Sequence, residues 1–78
     1  MSRLIIDEVF TDVLSLDGSV PWSEVRYQEV ETWDSLAHMA IIAEFEERFG
    51  IMFETEDIVD MSSHDKAIDI LGKYGVQA

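Results

Sequence analysis

Residues 34–50 read "DSLAHMAIIAEFEERFG", and the fold turns on that stretch. Met39, Ile42, Phe45 and Phe49 recur at spacings of three, three and four, and Leu36 and Ile41 add apolar bulk beside them. This is the period of one helical face. Asp34 has the short acceptor side chain favoured at a helix N-cap, and Gly50 can take the left-handed conformation that ends a helix. No glutamate stands three residues after Asp34, so a capping box anchored there is absent. A helix over 34–49 is predicted.

Upstream, Ile5, Val9, Val13 and Leu16 are spaced by four, four and three, and Ile6, Phe10 and Leu14 widen the stripe. A helix over 3–16 follows, ended by "LDGSVP", in which Gly18 is the natural left-handed cap and Pro21 cannot continue the helix. Residues 17–33 have no sustained period. A connection of that length must carry local structure or a function, and Val20, Trp22, Val25, Tyr27 and Val30 give it apolar weight to lie on a core. Downstream, Ile58, Val59 and Met61 mark a short helix over 55–60. Ser62 or Ser63 then caps a helix over 63–73 with Ala67, Ile68, Ile70 and Leu71 inward. No β pattern or internal repeat occurs. The expected fold is all-α: one domain over 1–78, a four-helix bundle with a long first loop and a short third helix.

Seventy-eight residues bury only about 60% of the unfolded chain's surface, so stability is marginal. There is no cysteine, which excludes disulfides and thiolate metal sites and suits a cytoplasmic protein. The N-terminus lacks the pattern of a secretory signal, and no apolar run approaches the roughly 18 residues of a membrane span. Five basic against 17 acidic residues give a net charge of −12. Such a surface repels nucleic acid and anionic lipid and attracts basic protein surfaces, hastening encounter with them.

Few residues can support catalysis. His38 and His64 belong to different predicted helices, and His64 stands in a first turn, where a positive charge is disfavoured. Neither reads as a base. His38 has Asp34 and Ile42 at four-residue spacing, which makes no zinc pair. An EF-hand register with Gly18 sixth and Glu24 twelfth puts Val13 first, where an oxygen ligand is required. Ser35 is flanked by Trp33 and Ala37 instead of the glycines of a hydrolase elbow. No metal site and no enzyme activity are expected.

Ser35 is left as an acceptor. With Asp34 capping, it takes the first helical position, where backbone N–H groups are free and the helix dipole favours an anion. A phosphate ester would be well placed there, whether from simple phosphorylation or from a larger group.

Over nearly its whole length the chain resembles the acyl carrier protein family. "DSL" opens the second helix, followed by "LAHMAIIAEFEERFGI", "FETEDIVDMSS" and "KAIDIL" at the family's usual distances. The resemblance implies that Ser35 carries a 4′-phosphopantetheine arm, added from coenzyme A by a separate Mg²⁺-dependent phosphopantetheinyl transferase. The arm's thiol would hold acyl groups as thioesters for delivery to partner enzymes. Asp34 and Leu36 would contact the transferase. Leu36, Met39, Glu46, Glu47 and Asp57 would form a docking face for acyl-loading and acyl-processing enzymes with basic patches. Ile42, Phe45 and Ile58 would line an acyl slot, and the protein would act as a monomer. Early helix two departs from the fatty-acid carriers, which usually carry two acidic residues there: Ala37, His38 and Ala40 occupy that stretch, and the acidity is left to the helix end. That departure points to a pathway-dedicated carrier, in polyketide, modified-lipid or saccharide-acyl assembly. "ETW" replaces the glycine pair often found before the serine in peptidyl carriers, which disfavours an aminoacyl cargo. The reading from another class is an acidic helical adaptor that binds proteins through Leu36, Met39 and the acidic rim.

Overall fold

In the computed structural model, which describes residues 2–78, four α-helices follow one another: α1 (Ser2–Leu14), α2 (Ser35–Phe49), α3 (Thr55–Asp60) and α4 (His64–Lys73). The long connection before α2 contains a single 3₁₀ turn at Trp22–Glu24. Among the described residues there is no strand, only an isolated antiparallel bridge between Arg26 and Ser63. The chain is all-helical, and its radius of gyration of 11.3 Å is close to the ~11.5 Å expected of a compact chain this long. No helix is long and apolar enough to cross a membrane among the described residues.

The helix ends follow from local chemistry. Asp34 Oδ1 accepts the Ala37 N–H at 2.9 Å and caps α2, while Gly50 closes that helix at φ 65°. Ser63 caps α4 by accepting the Lys66 N–H at 2.9 Å. The end of α1 differs from expectation. It stops at Leu14, two residues before the predicted 16, and Ser15 (φ 54°) takes the left-handed position at the helix end, while Gly18 turns the chain at positive φ (89°) three residues further on. The Leu16 N–H then reaches back to Thr11 O at 3.0 Å, and the Thr32 hydroxyl donates to Leu14 O at 2.7 Å. A loop side chain thus satisfies a carbonyl that no helix can satisfy internally, which makes an early stop tolerable.

One apolar core joins Ile6, Val9, Phe10 and Leu14 of α1 with Val25 and Trp33 of the loop, Ile41, Ile42 and Phe45 of α2, Phe53, Met61, and Ala67, Ile70 and Leu71 of α4. The α1 face is rotated from the predicted stripe: Ile5 is exposed, and Val13 and Leu16 only flank the core. Phe10 decides this. Its ring meets Trp33, Phe45 and Trp22 edge-on at 5.2, 5.8 and 6.4 Å, so the stripe centres on it. On α2 the same logic puts Ile41 inside and Met39 outside.

The loop is sewn to the segment between α3 and α4. The Tyr27 N–H donates to Ser62 O at 2.8 Å, and the His64 N–H donates to Val25 O at 2.9 Å. Gln28, at φ 66°, then turns the chain so that its N–H reaches Trp33 O at 3.1 Å, which brings Trp33 back beneath Tyr27.

Candidate functional site at the start of α2

Ser35 is exposed on the first residue of α2. Asp34 spends its carboxylate on the Ala37 N–H, so the Ser35 side chain takes no part in capping. The amides of Ser35 and Leu36 belong to the first turn, whose N–H groups have no intrahelical acceptor. The Ser35 Oγ lies 3.1 Å from the Tyr27 hydroxyl, and either group can donate. A phosphodiester fits this position: an accessible hydroxyl, free amides and the positive end of a helix dipole converge there.

Next to Ser35 opens an apolar crevice of about 250 Å³ lined by Tyr27, His38, Ile58, Val59, Met61 and Ser62. Two larger hollows, of about 530 and 360 Å³, flank Arg26, but they are open depressions walled by Glu24, Glu29, Glu31 and Asp65 and suit no apolar guest. Of the three residues expected to line an acyl slot, Ile58 lines this crevice. Ile42 and Phe45 are closed into the core, because α2 turns both toward α1, where Phe45 packs on Phe10.

His38 bridges three elements at the crevice. Trp33 Nε1–H can only donate, so His38 Nδ1, 3.0 Å away, must accept. The ring proton therefore resides on Nε2, which donates to Ile58 O at 2.7 Å. That arrangement requires neutral imidazole, whose polar edge is occupied twice over. His38 is thus a brace between the loop, α2 and α3.

The expected docking residues separate into two groups. Leu36 is 84% exposed and Met39 53%, and Val59 across the crevice is 73% exposed. Glu47 is exposed, whereas Glu46 is half-buried and its Oε2 accepts the Phe53 N–H at 3.0 Å. Asp57 is not on the outer face. It is 5% exposed, and its carboxylate takes Lys73 Nζ at 2.6 Å and the Tyr74 hydroxyl at 2.5 Å. Those two donors, Lys73 first, hold the Asp57 carboxyl below the ordinary range and raise Lys73 and Tyr74 in turn. Burial beside the end of α4, where Lys73 and Tyr74 offer two donors, explains why this acid turned inward.

Three of the five basic residues are spent internally. Arg48 ties Glu8 of α1 at 2.7 Å to Glu44 of α2 at 3.1 Å, Arg3 pairs with Asp7, and Lys73 with Asp57. The outward charge is correspondingly acidic. Among the described residues no group of His, Asp and Glu could hold a metal ion.

Tyr27, His38, Val59, Met61 and Ser62 line the crevice, and sequence reading gave none of them a place there. Tyr27 lies in an aperiodic loop outside α2, so no periodicity of the sequence ties it to Ser35. No family model matches the chain, and no solved structure matches it.

Proposed function

We propose that the chain is an acyl carrier protein without catalytic activity of its own, bearing a 4′-phosphopantetheine arm on Ser35. When bound, the arm supplies a thiol that holds acyl groups as thioesters for partner enzymes of fatty-acid, polyketide or related dedicated assembly. The observation that carries this reading is a single juxtaposition. An exposed serine hydroxyl at a capped helix start stands beside an apolar crevice, with Tyr27 belonging to both. The protein's own residues present the hydroxyl, offer free amides to an anion, and shelter an apolar chain. An apolar cavity of about 150 Å³ suffices for benzene, so the crevice takes part of an aliphatic chain and leaves the rest outside.

Leu36, Met39 and Val59 offer partners apolar contact, and the acidic surface steers basic patches toward them. The same exposed apolar trio is what a plain protein-binding adaptor would use, and it supports that as the second reading. Incubation with coenzyme A, Mg²⁺ and a broad-specificity phosphopantetheinyl transferase, followed by intact mass, separates them. The carrier gains the arm, and Ser35→Ala abolishes the gain. A folded wild-type protein that gains no mass is not a carrier.

A further inference from the structure

Tyr27 and Ser35 share no regular element, yet their hydroxyl oxygens stand 3.1 Å apart. The tyrosine is fixed at both backbone and ring. Its N–H is bonded to Ser62 O at 2.8 Å, and its ring meets Trp33 edge-on at 6.1 Å and lies tilted on His38 at 5.5 Å. Trp33 is itself fully buried, and His38 is held by its two hydrogen bonds. A phenol so held has little rotamer freedom left to lose, so its oxygen is a fixed point relative to the first turn of α2. The same ring forms one wall of the crevice.

We infer that Tyr27 is a positioning residue for Ser35: it orients the serine hydroxyl for arm transfer, then donates to the resulting phosphodiester and turns the arm toward the crevice. The inference rests on the carrier reading above. In the transfer, Ser35 Oγ bonds to the pantetheine-side phosphorus of coenzyme A. The pyrophosphate P–O bond breaks, adenosine 3′,5′-bisphosphate leaves with the electron pair, and the serine proton passes to a base of the transferase. Tyr27 exchanges no proton in this step. With its O–H donating to Oγ, the serine proton points away from the phenol, toward that base, and one lone pair remains for phosphorus. A nucleophile held in one orientation reacts faster without being bound more tightly.

After transfer Oγ is an ester oxygen and a poor acceptor, whereas the non-bridging phosphate oxygens are anionic. Hydrogen bonds to such oxygens are shorter and roughly twice as strong as neutral ones. The Tyr27 contact is therefore stronger in the modified protein than in the unmodified one. Merely structural tyrosines show no such difference.

Tyr27→Phe keeps the ring against Trp33 and His38 and deletes only the hydroxyl. Arm transfer from coenzyme A, followed by intact mass, is expected to show kcat lowered about 3- to 10-fold with KM within about twofold. The ³¹P resonance of the arm is expected to move, and the rise in Tm from unmodified to modified protein to shrink. A folded Tyr27→Phe variant with unchanged kcat, ³¹P shift and Tm rise overturns the inference, as does a change confined to KM, which signals docking. Should the variant not fold, the wild-type protein decides the matter. Isotope-filtered NOEs are expected between the Tyr27 ring protons and the phosphate-side methylene of the arm, and their absence overturns the inference. Failure of wild-type Ser35 to gain the arm overturns the carrier reading along with it, which no behaviour of Tyr27→Phe alone can do.

Discussion

Two tryptophan–histidine stacks, both at an interplanar angle of 23°, are built with opposite burial. In one, His64 is fully buried beneath a half-exposed Trp22, ring centroids 4.3 Å apart. In the other, Trp33 is fully buried beneath a half-exposed His38, centroids 5.9 Å apart. Burying the imidazole forces it to find a partner inside, and His64 Nε2 stands 2.6 Å from Asp7 Oδ1, tying α4 to α1. Its Nδ1 has no hydrogen-bond partner, a loss the ring offsets by packing on Trp22 and, edge-on at 5.2 Å, on Phe10. Burying the indole instead leaves an imidazole near the surface, where it bridges α2 and α3 beside the crevice. The first stack consolidates the fold. The second shapes the site.

Substitutions can break this division of labour. His64→Ala carries the largest expected effect, a loss of about 2–4 kcal/mol in urea unfolding, because it opens a cavity in a closed core. On the proposed carrier function, arm transfer to Ser35 should be unchanged at a temperature where the variant stays folded. Trp33→Phe should cost about 1–2 kcal/mol, since it leaves His38 Nδ1 without its donor and a gap beneath the site. Unlike His64→Ala, it should also disturb the crevice, read as a change in binding of a fluorescent fatty acid analogue.

Asp57→Asn tests the opposite side of α3 and should lower Tm by about 5 °C at neutral pH. The sign of its pH dependence follows from the depressed Asp57 carboxyl. The stabilisation is complete above the ordinary carboxylate value of about 3.9 and is lost as pH falls through the lower folded value. Wild type and variant should therefore differ most at neutral pH and converge in acid. The smallest stability change, within about 0.5 kcal/mol, belongs to Ala40→Glu at an exposed position near the site, and combining it with Ala37→Glu adds a cost because Ala37 is half-buried against the core. That pair should still quicken loading by fatty-acid enzymes in a salt-sensitive way, and a flat rate would show that these acids do not set partner choice.

The helices were legible in the sequence because their signals are local. Asp34, Gly50 and Ser63 act within one turn, and Ile42, Phe45 and Phe49 recur along one side of α2, although Met39 of that stripe ends outside and Ile41 inside. Which face of α1 would turn inward was not legible: seven apolar residues make a stripe broad enough for several centres, and Phe10's aromatic partners come from 12, 23 and 35 residues away. The exposed place of Ser35 just inside a capped helix start could be read from its neighbours alone. Tyr27 and the crevice could not, since they depend on backbone hydrogen bonds between residues 25–27 and 62–64. Asp57 misled for the same reason. An acid on a short helix reads as surface until its distant donors, Lys73 and Tyr74, are in place.

The Asp57 clamp reaches further than the residue it holds. Six residues are too few to keep a helix by themselves, so α3 is suspended between two moorings, His38 on one flank and the tail on the other. Tyr74 adds a second line by accepting the Glu54 N–H at 3.0 Å where α3 begins. The end of α4 and Tyr74 thereby anchor one wall of a crevice they do not line, and loss of the Tyr74 hydroxyl should loosen α3, read as faster amide exchange at Ile58 and Val59.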